Sequence, residues 1–257
     1  MLQVTRGHAP RVYWLPDYKQ PILIEILAEF HVGLDSLDTR KFLDLVSKVS
    51  KKAGGDLEFE TRFGTESAAV SPAELSARPW AKIWWPNRDR LAQLTQGIVI
   101  ANLVGTYPGS AAFQEHASDL LAMSAEVLGP VRCRSVRFQT VAQFDVPARE
   151  SRLGSYLTAE DGRLPTAFLD TSSTADISVG DGLLAWEGWN RSLTVRVRRL
   201  PDSKTMRVLL ESIFHEQRAE SESPYELMER LRRKSVLSFE SLITDLLRVD
   251  VMGGPRS

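Results

Sequence analysis

One cysteine, four histidines and no long apolar run set the first limits on this 257-residue chain. A single thiol, Cys133, forms no internal disulfide, so the fold does not depend on oxidation. Arg132 and Arg134 flank it and favour a thiolate, but no histidine is near in sequence. The expected role of Cys133 is that of a small strand residue. The histidines, His8, His31, His116 and His215, are widely separated, whereas a metal site needs at least two converging with a carboxylate. His116 borders a helical apolar stripe and reads as a hydrogen-bonded border residue. His215 reads as an exposed strand end.

The most apolar stretch, Pro21 to Phe30, is too short to cross a membrane and carries Glu25 and Glu29. Met1 to Lys19 lacks the apolar core of a signal peptide. The expectation is a soluble, cytoplasmic chain with no membrane partner. Charge of either sign is not in excess: 32 Lys and Arg against 33 Asp and Glu leave a net −1, so no global field drives the chain onto nucleic acid. Motifs are missing too. There is no P-loop, no Gly-x-Gly-x-x-Gly, no His-Glu-x-x-His, no paired Cys-x-x-Cys and no Gly-x-Ser-x-Gly elbow. None of these signatures indicates a cofactor, a metal or a catalytic set.

What is present is ordinary globular composition, 43% hydrophobic and 25% charged, enough for a sizeable core. Residues 1–20 read as an irregular N-terminal arm broken by prolines, in which Tyr13 and Trp14 need burial or a partner. Ile22 to Leu27 alternate as a strand buried on both faces. Phe42, Leu45, Val46 and Val49 then follow helical spacing, and Gly54-Gly55 stops that helix. Leu57, Phe59 and Thr61 alternate with Glu58, Glu60 and Arg62 as a strand. Trp80 to Leu103 spaces out two or three antiparallel strands, with a turn at Pro86–Asp89. A helix follows from a Ser110 cap to Gly129-Pro130. The clearest strand runs from Val136 to Val146, with Phe138, Phe144 and Val146 on one face and Arg137, Gln139 and Asp145 on the other.

Residues 148–165 are polar and form the expected connection between an N-terminal half (21–147) and a C-terminal half (166–250). In the second half, residues 166–178 are strand-like, and Pro201–Lys204 is a hairpin turn between alternating strands. Ser223-Pro224 opens a final helix with Leu227, Leu231, Leu237 and Leu242 on its apolar face. Residues 251–257 read as a disordered tail. The order lacks regular strand–helix–strand alternation, which excludes a parallel doubly wound sheet or an α/β barrel. It predicts an α+β fold: a long, mostly antiparallel sheet with helices on one face, in two halves that both pass from strands to helices.

Several landmarks line up: Pro21–Glu25, Asn102 with Tyr107-Pro108 and Phe113, Arg137-Phe138 leading to Val146-Pro147, and Ser238–Glu240 with Ile243–Asp245. Together they resemble a sporadically distributed family of bacterial and archaeal proteins of about this length, across nearly the whole chain. The chain departs from that pattern at Phe138, where the family favours tyrosine, and at Thr140, where it favours asparagine. The resemblance implies an accessory role in prokaryotic defence or mobile-element settings, and no particular activity.

Three functional readings compete. The first is a non-enzymatic protein-interaction module, a homodimer or a binder of another protein. Successive strand residues point to opposite faces, so Trp84 and Trp85 bury together only if both faces are covered. Trp84 is the expected interface residue, with Tyr13 and Trp14 of the arm. The second is a nucleic-acid-binding accessory factor that uses Arg196, Arg198 and Arg207 of the hairpin, with Arg232 and Arg233 of the last helix. The third is a metal-dependent hydrolase built on Asp170 and Asp176, whose spacing fits no EF-hand loop.

Overall fold

The computed structural model describes residues 22–32, 39–63, 77–95, 97–105, 109–129, 133–147, 156–157, 182–188, 191–199 and 205–253. The arm with Tyr13 and Trp14, the stretch 166–178 and the pair Asp170 and Asp176 lie outside the described residues. The chain is α+β. Its strands are β1 (Leu23–Val32), β2 (Leu57–Phe63), β3 (Ala77–Trp84), β4 (Arg90–Thr95), β5 (Ile98–Val104), β6 (Cys133–Pro147), β7 (Gly182–Gly188), β8 (Arg191–Arg199) and β9 (Thr205–Gln217). They form one antiparallel sheet in the order β2-β3-β4-β5-β1-β6-β9-β8-β7. The helices are α1 (Thr39–Ala53), α2 (Ser110–Leu128) and α3 (Pro224–Leu242), with a short π-helical turn at Leu247–Val251.

Alternation decides which side each strand residue joins. Ala28 and Phe30 of β1, Ile83 of β3, Ala92 of β4, Ala101 of β5 and Phe138 of β6 share one buried cluster with Phe42 and Val49 of α1, Phe113 and Leu120 of α2, and Leu227 and Leu231 of α3. All three helices therefore pack on one face, as the apolar spacing predicts. The opposite face carries no described helix. A second cluster joins Ala142, Phe144 and Val146 of β6 to Val195, Val208, Leu210, Leu242 and Leu247.

The expected boundary at 148–165 does not divide the sheet, because β6 pairs with β9 along thirteen register positions, Ser135↔Gln217 to Pro147↔Thr205. Part of that connection is core rather than a polar surface link. Tyr156 and Leu157 are buried, and Leu157 bridges to Ile243. The two halves do share a layout about the central β1–β6 pair. On one side the four-stranded meander β2-β3-β4-β5 returns to β1 and α2 follows; on the other β7-β8-β9 returns to β6 and α3 follows.

Three local expectations need correction. Ser110 does not cap α2; Gly109 holds that position at φ 106°, with no side-chain cap bond. Leu237 does not face the core but is 49% exposed, because α3 buries the stripe of Leu227, Leu231 and Leu242 instead. Val251 and Met252 do not belong to a tail, since Val251 packs against the second cluster and Met252 is fully buried; residues 254–257 lie outside the described residues. By contrast, Ser223 caps α3 as expected. It exchanges bonds with Glu226 (3.1 and 2.7 Å) in a capping box, with Pro224 in the first turn.

The glycine pair after α1 has two separate jobs. Gly54 takes φ +68° and closes the helix with a bond from its N–H to the Ser50 carbonyl, 2.9 Å. Gly55 lies so close to β3 that a Cβ on it would sit 2.0 Å from the Trp84 carbonyl oxygen. The Trp84 N–H bond to the Asp56 carbonyl, 2.8 Å, holds that approach. Gly55→Ala is expected to cost about 2 kcal/mol through overpacking against backbone, and Gly54→Ala about 1 kcal/mol through its left-handed φ. Urea titration of both variants measures the difference; an unchanged midpoint for Gly55→Ala would contradict the close approach.

Candidate functional site

On β1 the residues that do not face the helices are Glu25, Leu27, Glu29 and His31. Cross-strand register carries each of them into a row. Glu29 lies opposite Arg137 of β6, which lies opposite His215 of β9. The same row continues the other way through Ile100 of β5, Gln93 of β4 and Lys82 of β3. Strand spacing places the Glu29 and His215 backbones roughly 10 Å apart, with Arg137 between them.

The side chains close this arrangement into a network. His31 Nε2 meets Glu29 Oε1 at 2.7 Å, and Arg137 Nη1 donates to Glu29 Oε2 at 3.0 Å. Arg137 Nη2 donates to Gln139 Oε1 at 2.7 Å, and Gln139 Nε2 donates to Glu211. Asn102 Nδ2 donates to Glu25 Oε1 at 2.8 Å one row away. The His31 and His215 ring centroids are 5.7 Å apart. The two histidines are distant in the chain yet meet in the fold, which sequence separation concealed. A signal was available: Glu25, Glu29 and His31, Arg137 and Gln139, and Glu211 and His215 each keep period-2 spacing on their strands.

Burial pushes the Glu29 carboxyl up, but the His31 bond and the Arg137 charge outweigh it and hold it below the usual carboxylate range. Glu29 is an ion at neutral pH with only 13% of its side chain exposed. Burial, with repulsion from His31 and Arg137, pushes His215 below the usual imidazole value, against the opposing pull of Glu29. His215 is exposed, and Arg137 and His31 keep about a third of their side chains accessible. The row therefore holds a fixed carboxylate, a guanidinium and an imidazole within reach of solvent. Among the described residues no group of three or more His, Cys, Asp and Glu is arranged to hold a metal ion.

The residues named from sequence fall elsewhere. Trp85 packs on the helix side, edge-on to His116 at 4.6 Å. Trp84 is on the helix-free face at the end of β3, half-buried, with the Arg88 guanidinium 5.4 Å from its ring centroid. Arg88 also pairs with Asp56, 2.6 Å. Arg198 and Arg207 stand opposite each other in the β8–β9 register, and Arg196 stands opposite Leu209. Arg207 is bound in two bonds to Asp145, 2.9 and 3.0 Å. Arg232 and Arg233 belong to α3, on the other side of the sheet, so the five arginines do not form one surface. Arg232 is buried and pairs with Glu229 at 3.0 Å, while Arg233 is exposed. Cys133 is buried, its thiol pushed up to about 11 by burial, which makes it inert at neutral pH.

One feature escaped the sequence reading altogether. β2 is the edge strand on the N-terminal side of the described sheet, and Phe59 and Leu57 on it are 57% and 40% exposed. Both alternate as core residues should, but α1 packs against β3 and β4 rather than over β2. No helix among the described residues is long and apolar enough to cross a membrane. No protein-family model matches the chain, and no curated protein matches it.

Proposed function

We propose that this chain is a protein-interaction module whose first partner is a second copy of itself, joined through β2. The observation that carries the reading is that β2 has no strand beyond it among the described residues and carries the exposed Phe59 and Leu57. Such an edge presents a row of free N–H and C=O groups and templates pairing with another strand. The sequence of β2 favours its own copy as that strand. Run antiparallel about Thr61, the segment puts Glu60 opposite Arg62 and Phe59 opposite Phe63, each twice by symmetry. The two sheets would then continue into one another. Trp84 lies one strand inside this edge and stays under Arg88.

Analytical ultracentrifugation of the full chain is expected to give a dimer, and Phe59→Arg a folded monomer with the wild-type circular dichroism spectrum, because the replaced ring is more than half exposed in the single chain. Trp84→Ala is expected to leave the dimer intact. A wild-type chain that stays monomeric at its highest soluble concentration refutes the reading.

A further inference from the structure

The row Glu29–Arg137–His215 takes no part in the β2 edge, which lies four strands from β1 in the sheet order. Its chemistry is complete without it. A carboxylate, a cation and an imidazole stand in line on three adjacent strands, on a face that no described helix covers. That is the order an in-line displacement at phosphorus requires: a base on one side, a positive charge at the centre and an acid on the other. We propose that this row cleaves single-stranded RNA by transesterification, with Glu29 as general base, His215 as general acid and Arg137 bound to the phosphate oxygens.

The step balances without a co-reactant. Glu29 takes the proton of the ribose 2′-hydroxyl. The 2′-oxygen forms a bond to the adjacent phosphorus, and the bond from phosphorus to the 5′-oxygen breaks. His215, protonated, gives its proton to the departing 5′-oxygen. The products are a 2′,3′-cyclic phosphate and a free 5′-hydroxyl, and exchange with water resets both side chains. Arg137 supplies the charge that a metal ion supplies elsewhere, so the set needs none. Only RNA carries the nucleophile, because DNA lacks the 2′-hydroxyl.

The supporting residues fit these roles. His31 does not reach the reacting atoms in this scheme; its bond to Glu29, 2.7 Å, keeps the carboxylate ionised and aimed. It is a positioning residue. No described helix covers this face, which leaves the row accessible to an extended, unpaired strand. Arg207 lies on the same strand and face as His215, roughly 26 Å along β9, with Arg198 opposite it in register.

The charged groups facing His215 are Arg137 on β6, Glu29 and His31 on β1, and Glu211 on its own strand. Their balance gives a pH profile with a definite sign. Glu29 must be ionised and His215 protonated, and both titrate below their ordinary values. Cleavage is therefore expected to peak on the acid side and to fall as pH rises toward the ordinary imidazole value, about 6.5.

The test uses the full chain in excess chelator with an end-labelled single-stranded RNA oligonucleotide and its all-deoxy counterpart, from about pH 4.5 to about pH 8. The RNA is expected to be cut to 2′,3′-cyclic phosphate ends and the DNA to stay intact. Glu29→Gln and His215→Ala are each expected to lose about a hundredfold or more in rate. His215 is exposed, so its variant keeps the fold, and the circular dichroism and thermal midpoint of both variants verify this. His31→Asn is expected to move the acid limb of the profile upward, which a merely structural residue would not do. Three results would each overturn the proposal: RNA left intact at every pH by excess protein, equal cutting of DNA, or cutting that survives both Glu29→Gln and His215→Ala. Phe59→Arg is expected to cut as the wild type does, which keeps this outcome separate from that of the edge contact.

Discussion

Phe138→Ala is expected to lower folding stability by about 3–5 kcal/mol, among the largest losses a single substitution in this chain produces. Phe138 is fully buried at the centre of β6, between Ala28 on β1 and Phe214 on β9. The Phe113 ring of α2 stands edge-on to it at 5.9 Å and 82°. Truncation removes the transfer free energy of the ring and leaves a cavity lined by a sheet and a helix that cannot both close on it. The aromatic pair adds its own loss, about 1 kcal/mol. Urea unfolding, followed by far-ultraviolet circular dichroism, measures the change. A loss below about 1 kcal/mol would mean that α2 collapses onto the sheet and that the described packing is wrong. A tyrosine here would need a partner for its hydroxyl in this apolar contact, so Phe138→Tyr is also expected to destabilise, though less.

A second large effect is expected in mild acid. His116 is 1% exposed on α2, with its Nε2–H donating to the Leu91 carbonyl at 3.2 Å and the Trp85 ring edge-on to it. Burial, aided by repulsion from Arg90, pushes its pKa down to about 4, although the Leu91 bond, Asp119 and Asp89 pull the other way. In the unfolded chain it titrates near 6.5. Between those values the unfolded state binds a proton that the native state refuses, so stability rises with pH across that interval and falls as the solution is acidified. The full shift corresponds to about 3 kcal/mol, lost progressively from about pH 6.5 down to about pH 4 and flat below. His116→Leu forfeits the Leu91 bond but removes this slope. Stability measured against pH for the two proteins should therefore converge in acid. Parallel curves would show that His116 is not held neutral. Glu29 and Glu216 lose their contributions at still lower pH, since both sit below the usual carboxylate value. In the window above about pH 4.5 His116 contributes the larger slope, and His215, also held below the ordinary imidazole value, a smaller one of the same sign.

Much of the architecture was legible because it rests on local periodicity. The helix stripe Phe42, Leu45, Val46 and Val49 is buried as its spacing predicts. The long strand β6 and the paired strands β8 and β9 appear where alternation puts them, while the Pro201–Lys204 turn lies outside the described residues. The Ser223–Glu226 capping box is a short-range pattern of two residues three apart, and it forms. Other readings went astray where the outcome depends on a distant neighbour. Leu237 has the spacing of a core residue and is exposed, and Phe59 alternates correctly on a strand that α1 does not cover. His31 and His215 look unrelated in sequence because nothing local states that β1 and β9 flank the same strand.

By itself, then, the sequence determined the elements, their faces and the α+β class, because side-chain direction along a strand or helix follows from backbone geometry alone. It also determined which residues share a face of their own strand: Glu29 with His31, Arg137 with Gln139, and Glu211 with His215. Which of them did meet was decided only by strand order and register, set when the helices bury one face of the sheet and slide each strand until its apolar residues lie beneath them. The polar row on the other side is the consequence of that burial, since fixing one face of a pleated strand fixes the other.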